Sequence, residues 1–237
     1  MSVNSTKVNM VKLKMCSVAL ACAILAGCAG VVSSGVASGA ASGPASAPVP
    51  LFGAAGFDAV ELVTTPAGTL DQVLTARPDG VITVAGNPSG YVATRASYTN
   101  YRLHAEWRWP GKPGNGGILL HIQGGPKDRV WPLSQQVQTK FGAAGDLLPM
   151  AGASFTEALT TAPGAATPIK AHTAADSERP AGAWNSMDVV CKDGSIEVVV
   201  NGVVQNRVTG ASPASGRIGI QLEGAPYELR NVTVQAL

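Results

Sequence analysis

In the nine residues YRLHAEWRW, Tyr101, Leu103, Ala105 and Trp107 alternate strictly with Arg102, His104, Glu106 and Arg108. A period of two is the mark of a strand with one buried and one wetted face. It recurs in GRIGIQLEG, where Ile218, Ile220 and Leu222 stand against Arg217, Gln221 and Glu223. In GGILLHIQ it predicts Ile118, Leu120 and Ile122 on one face and Leu119, His121 and Gln123 on the other. No long stretch holds a helical period. Asp193-Gly194 and Asn201-Gly202 each sit between apolar runs, a hairpin signal because these residues accept positive φ. The C-terminal third therefore predicts a meander of strands over 184–191, 196–200, 203–208, 217–223 and 227–235. Many short alternating strands predict an all-β fold, a two-sheet antiparallel sandwich. Residues 143–180, rich in Ala, Thr, Gly and Pro, have no clear period and predict long loops, where binding residues gather on a rigid sandwich.

The N-terminus departs from this pattern. Lys7, Lys12 and Lys14 precede an apolar run over 15–25, too short to span a bilayer comfortably and followed by small residues, as in a secretory signal. The run ends in Leu25-Ala26-Gly27-Cys28, which resembles the bacterial lipobox. The expectation is a signal over 1–27, a lipidated Cys28 that opens the mature chain, and anchoring to the outer membrane facing the periplasm or the surface. Ala29 is not the aspartate associated with inner-membrane retention, and several acyl chains make a durable anchor. Residues 28–50 are Ala, Ser, Gly, Val and Pro after the cysteine, with no charge, and predict a flexible spacer. The body, 51–237, is long enough for one domain with a substantial core.

Of the 4 cysteines, Cys16 and Cys22 leave with the signal and Cys28 carries lipid. Cys191 is then the single thiol of the body, placed by its apolar context in the core. A net charge of +2 gives no reason to invoke nucleic acid as a partner. The sequence has no HExxH, G-x-S-x-G, P-loop or CxxC motif, so the familiar zinc-protease, serine-hydrolase and nucleotide chemistries are not indicated. Candidate chemistry lies on the strands. Glu106 sits mid-strand among aromatic residues, His121 ends an apolar strand, and Gln136 and Gln138 share a face. If those strands are neighbours, a carboxylate, an imidazole and two amides converge. Each residue alone is equally compatible with an ordinary wetted sheet face.

The succession of segments DGVITVAGNPSGYVATRASYTNYRLHAEWRWP, GNGGILLHIQGGPKDRVWPLSQQVQ, AGDL, WNSMDVVCKDGSIEVVVNGVVQNRVTG and SGRIGIQLEGAPYELRNVTV resembles the 3-keto-disaccharide hydrolase family. The resemblance implies a jelly-roll sandwich like that of concanavalin-type lectins and glucanases. The family pattern has a turn ahead of its histidine-bearing strand, matched by Asn115, Gly116, Gly117 and His121 with Gly in place of Ser. It then has Trp-Pro, a strand reading Glu-x-Gln and a Gly-Asp. Trp131-Pro132, Gln138 and Gly145-Asp146 match, but Gln136 stands where the glutamate belongs. Glu106 and Glu223 match acidic positions of flanking blocks.

The implied chemistry starts from a sugar oxidised at C3. A base removes the acidified C2 hydrogen, the glycosidic oxygen leaves, and water adds to the unsaturated sugar. This needs a base and either a divalent ion or aimed donors to stabilise the enolate. The resemblance implies Glu106, His121 and Asp146 as catalytic residues, with His121 and Glu106 the candidate metal ligands. Asn115, Trp131, Gln136, Gln138 and Glu223 would contact the oxidised disaccharide or glycoside, Trp131 as a partly exposed stacking surface. Glutamine cannot accept the proton and is a poor ligand for a hard cation. Three readings therefore stay open: an enzyme in which Gln136 holds a hydroxyl, a carbohydrate-binding lipoprotein derived from such enzymes, and a structural module with no ligand.

Overall fold

The computed structural model describes residues 46–52 and 57–237. The signal sequence, Cys28 and most of the spacer lie outside the described residues. In chain order the elements are β1 (Val49–Pro50), β2 (Val60–Thr65), the single-turn helix α1 (Leu70–Val73), β3 (Leu74–Ala76), β4 (Ile82–Val84), β5 (Ser89–Tyr98), β6 (Tyr101–Arg108) and β7 (Gly117–Asp128). They continue with β8 (Trp131–Gln138), β9 (Leu147–Met150), β10 (Asn185–Lys192), β11 (Ser195–Val200), β12 (Val203–Val208), β13 (Gly216–Leu222) and β14 (Tyr227–Ala236). One antiparallel sheet runs β12-β11-β10-β6-β14-β4-β3 with β1 added to β14, and the other runs β2-β5-β13-β7-β8-β9. The fold is an antiparallel jelly-roll sandwich, as the alternation and the resemblance predict.

The alternation of β6 explains its place. Tyr101, Leu103, Ala105 and Trp107 are buried while the residues between them are not. They face Ile118, Leu120, Val137, Ile218 and Ile220 of the second sheet in one core. Burying each such side chain stabilises the fold by about 1.5–3 kcal/mol. Cys191 belongs to this core, and burial pushes its thiol up to about 12.

Several sequence expectations need correction. Only β10 to β12 form a meander, because β13 crosses to the second sheet and β14 returns to lie between β6 and β4. The long loop holds a strand, β9, which pairs with β8. The end of the spacer is recruited to the first sheet, Val49 opposite Val234 and Pro50 opposite Thr233. In β7 the alternation breaks after Leu120. His121 has φ 57 and the pairing shifts there, so a bulge turns the His121 ring toward Tyr101 of the core and leaves Ile122 with the apolar cluster on the outer face.

Candidate functional site

The outer face of the second sheet is enclosed by its own longest hairpin. Register shifts at three places between Leu120 and Asp128 bend β7 and β8, and bulges of this kind curl a hairpin out of the sheet plane. Val130 and Trp131, at its far end, pack with Tyr91, Ala93, Leu119 and Ile122 in a second apolar cluster. The bent hairpin thus walls a cleft on that face. Trp131 is 8% exposed, so it serves the wall and offers less open ring surface than its loop-like sequence context suggests. The cleft contains a cavity of about 240 Å³ lined by Asn115, Gln136, Gln138, Lys140, Gln221 and Glu223 among others, with Leu148, Met150, Thr167 and Ile169 at the β9 side.

Gln136, Gln138 and Gln221 are buried there as a connected set of amides. Gln136 Nε2 donates to Gln138 Oε1 at 2.7 Å and to Gln221 Oε1 at 3.2 Å. Gln221 Nε2 donates in turn to Glu223 Oε2 at 2.6 Å. Buried amides are tolerated only when bonded, and a connected set fixes each member's orientation. Among the described residues Gln136 Oε1 and Asn115 Oδ1 are enclosed with no partner.

Glu223 ends this chain of bonds. Burial raises its carboxyl pKa above the ordinary 4.5, although the Asn115 side chain and the charges of Lys140 and Arg129 pull it down. A partly desolvated carboxylate with a raised pKa is suited to accept a proton. Asp128, the other carboxylate of the lining, is far more exposed, at 60% against the hairpin tip.

The remaining sequence candidates do not join this cleft. Glu106 lies on β6 in the first sheet, on the outer face opposite the core. Burial raises its pKa, but bonds from Asn231 Nδ2 and Arg230 Nε, both 2.7 Å, and the Arg230 charge outweigh it and hold the carboxyl low. His121 is 1% exposed in the core. Its Nδ1 lies 3.0 Å from the Pro213 carbonyl, an acceptor only, so Nδ1 carries the proton. Asp146 is buried beside the cleft end of β8 and its Oδ1 accepts from His172 N and Nδ1, at 2.8 and 2.6 Å. It secures the loop that carries His172 to the start of β9 and does not line the cavity. The expected convergence of Glu106, His121 and the glutamines is therefore corrected, because β6 and β8 belong to different sheets and the bulge in β7 turns His121 into the core. For the same reason His121 and Glu106 do not fit a shared metal ion, and no cluster of three His, Cys, Asp or Glu among the described residues suits one.

Asn115, Trp131, Gln136, Gln138 and Glu223 are brought together in the lining of this one cavity. Gln221 and Lys140 were missed as site residues. Gln221 stands two before Glu223 on the polar face of its strand, and Lys140 two beyond Gln138, so parity alone contained the signal.

A family model for the 3-keto-alpha-glucoside-1,2-lyase-like domain matches residues 52–235. No curated protein matches the sequence. Among solved structures, one candidate glycosyl hydrolase from Parabacteroides distasonis is 22% identical, with 76% of this chain and 88% of that chain covered and a TM-score of 0.55. A second from the same organism is 18% identical, with 81% and 100% covered and a TM-score of 0.58. The carbohydrate-binding module CBM66 from Bacillus subtilis is 9% identical, with 75% and 96% covered and a TM-score of 0.54. At these identities the structures share the fold.

Proposed function

The chain belongs to the 3-keto-alpha-glucoside-1,2-lyase-like family, and from that premise we propose that it cleaves 3-keto-glycosides by elimination, with Glu223 as the base. The observation that carries this reading is the half-buried Glu223 carboxyl in the cavity lining, held by Gln221 Nε2 at 2.6 Å at the end of the amide chain and raised by burial. In the first step the Glu223 carboxylate takes the C2 hydrogen, which the C3 ketone has acidified. The C2–H electrons form the enolate, and the Lys140 and Arg129 cations favour its negative oxygen. The enolate then collapses to a C1–C2 double bond as the C1–O bond breaks, and the proton on Glu223 passes to the departing oxygen. Water adds to the unsaturated ketone to yield the free 3-keto sugar. The amides of Gln136, Gln138 and Gln221 hold hydroxyls and so fix which hydrogen faces the base. In this scheme Gln136 has no proton to carry, which answers its departure from the family glutamate.

Proton NMR of a 3-keto-disaccharide mixed with the protein tests the scheme. Cleavage by the wild type, reduced about 10²- to 10⁴-fold in Glu223→Gln with binding retained, is the expected result. Equal cleavage by both proteins would remove Glu223 from the role. A second reading, carbohydrate binding without turnover, is favoured by the amide network itself, since it occupies the family's carboxylate position with bonded, uncharged groups. Broadened sugar signals with no product in the wild type, and product in Gln136→Glu, would select it.

We also propose that a lipidated Cys28 holds the protein at the outer membrane. Cys28→Ser is expected to release it from the membrane fraction.

A further inference from the structure

Away from the cleft, the chain over 173–179 is pinned to the first sheet by buried amides. Gln205 Nε2 donates to the Ala175 carbonyl at 3.0 Å and to Ser177 Oγ at 2.8 Å. Asn201 Nδ2 donates to the Ser177 carbonyl and to Asn185 Oδ1, both at 2.8 Å, and Asn185 Oδ1 also accepts from Arg179 N at 2.7 Å. Gln205 and Asn185 are buried, and bonded amides in such a place fix the backbone they hold. Glu178 lies between these bonds, so its side chain starts from a rigid loop.

That side chain reaches two segments that lead into the cleft. Glu178 Oε2 accepts from Gly142 N at 2.8 Å, and Oε1 accepts from Trp109 Nε1 at 3.4 Å. Gly142 belongs to the turn between β8 and β9, which also carries Lys140. Thr139 N donates to the Gly116 carbonyl at 2.9 Å and Phe141 N to the Gly114 carbonyl at 3.1 Å, so the turn is tied to the segment that carries Asn115. Lys140 and Asn115 line the cavity, whereas Glu178 does not. On the other arm, the Trp109 ring lies 5.6 Å from that of Tyr227, whose Oη donates to the Gln221 carbonyl at 2.7 Å. One carboxylate therefore joins the supports of Lys140, Asn115 and Gln221.

We infer that Glu178 is a positioning residue of the site: bonded at once to the turn of Lys140 and to the Trp109 indole, it holds Lys140 beside Glu223 from outside the cleft. The inference rests on the elimination reading only for the part that Lys140 plays at the enolate. Both partners of Glu178 are donors, and a carboxylate accepts from both through charge-assisted bonds stronger than neutral ones. Glutamine offers a single oxygen and sets its amide hydrogens against the second donor. Alanine leaves both donors without an acceptor and frees the turn to carry Lys140 away from Glu223.

The test is a double-substitution cycle, run well below the melting transition of every protein in it. Glu178→Ala is expected to lower kcat/KM for a 3-keto-disaccharide about tenfold, mostly through kcat, because Lys140 favours the enolate and not the bound substrate. In a Lys140→Gln background the same substitution should change kcat/KM by less than about twofold, since the group it positions is gone. Glu178→Gln, which keeps the size and one acceptor, should fall between the wild type and Glu178→Ala. Losses that simply add in the Lys140→Gln background would overturn the inference and leave Glu178 as a bond of the fold alone. A second measurement, by NMR without ligand, separates this inference from the elimination reading. In Glu178→Ala the Phe141 amide should exchange with solvent about tenfold faster, and the side-chain amide resonance of Asn115 should move. If the wild type cleaves nothing while both changes occur, the elimination reading falls and the positioning stands. If both signals stay as in the wild type, the positioning falls and turnover alone decides the elimination reading.

Discussion

The side chain of Gln136 lies across the bare Cα of Gly117, where an added methyl carbon would come within 2.7 Å of Gln136 Nε2 and 3.0 Å of its Cδ and Cγ. Gly117 has no left-handed backbone to protect, so its lack of a side chain serves the amide above it. Gly117→Ala is expected to displace Gln136 from Gln138 and Gln221 with little backbone strain. The predicted result is a KM about tenfold higher for a 3-keto-disaccharide and a stability loss near 1 kcal/mol, a shift of a few degrees in Tm. A Tm loss with unchanged KM would mean that the network serves the fold alone.

The network also links position 136 to Glu223 through Gln221. A second carboxylate at that position would oppose ionisation of Glu223, and loss of Lys140 would remove a charge that lowers its pKa. Because Glu223 must be ionised to take a proton, the acid limb of kcat/KM against pH should lie above the ordinary 4.5 in the wild type. It should move higher still, by about one unit, in both Gln136→Glu and Lys140→Gln. Superimposed limbs in the three proteins would show that Glu223 is not the titrating group.

Much of the fold could be read from strands with one wet face, such as β6, whose alternation was complete. The stretches that escaped reading are wet on neither face. In β5, Tyr91 and Ala93 belong to the outer apolar cluster while Val92 belongs to the core, so the sequence shows a continuous run with no alternation. The candidate site was legible on one side only. Parity placed Gln136 with Gln138 and Gln221 with Glu223, but parity carries no information on which strands are neighbours. Glu106 shared the look of a site residue and lay in the other sheet. His121 misled for a local reason, since one positive φ reversed the face that the period assigned to it.

Glu178 bridges two loops at the Trp109 end of the sandwich. Its Oε2 accepts from Gly142 N at 2.8 Å and its Oε1 from Trp109 Nε1 at 3.4 Å. Burial is the main cause that raises its pKa, to about 7. A carboxyl raised in the fold adds stability that is fully present below the unfolded value of 4.5 and is lost as pH rises through about 7. Urea unfolding between pH 4.5 and 8 should therefore show a smaller decline in Glu178→Gln than in the wild type. Parallel declines would mean that Glu178 ionises in the fold as it does in the unfolded chain.

His121 has the opposite sign. Burial lowers its pKa from 6.5, against the bond to Pro213, and its Nε2 is enclosed with no partner among the described residues. The fold accepts the neutral ring edge-on to Tyr101, 5.8 Å between centroids, and resists the charged one. A base whose pKa is depressed contributes fully above its unfolded value, and that contribution is lost as pH falls through 6.5 toward the folded value. Other groups titrate over the same range, Glu178 among them, so the informative quantity is the difference between the wild type and His121→Phe. Phenylalanine keeps a ring against Tyr101 while removing the titration and the bond to Pro213. His121→Phe is expected to be less stable than the wild type at pH 8, because the Pro213 carbonyl loses its donor, and the gap should narrow as pH falls from 7 to 5.5. Turnover in the variant should stay near the wild-type level, since His121 faces the core and not the cleft. A gap that is constant with pH would show that the ring is as free to take a proton in the fold as outside it, and a collapse of turnover at unchanged stability would return His121 to the catalytic set.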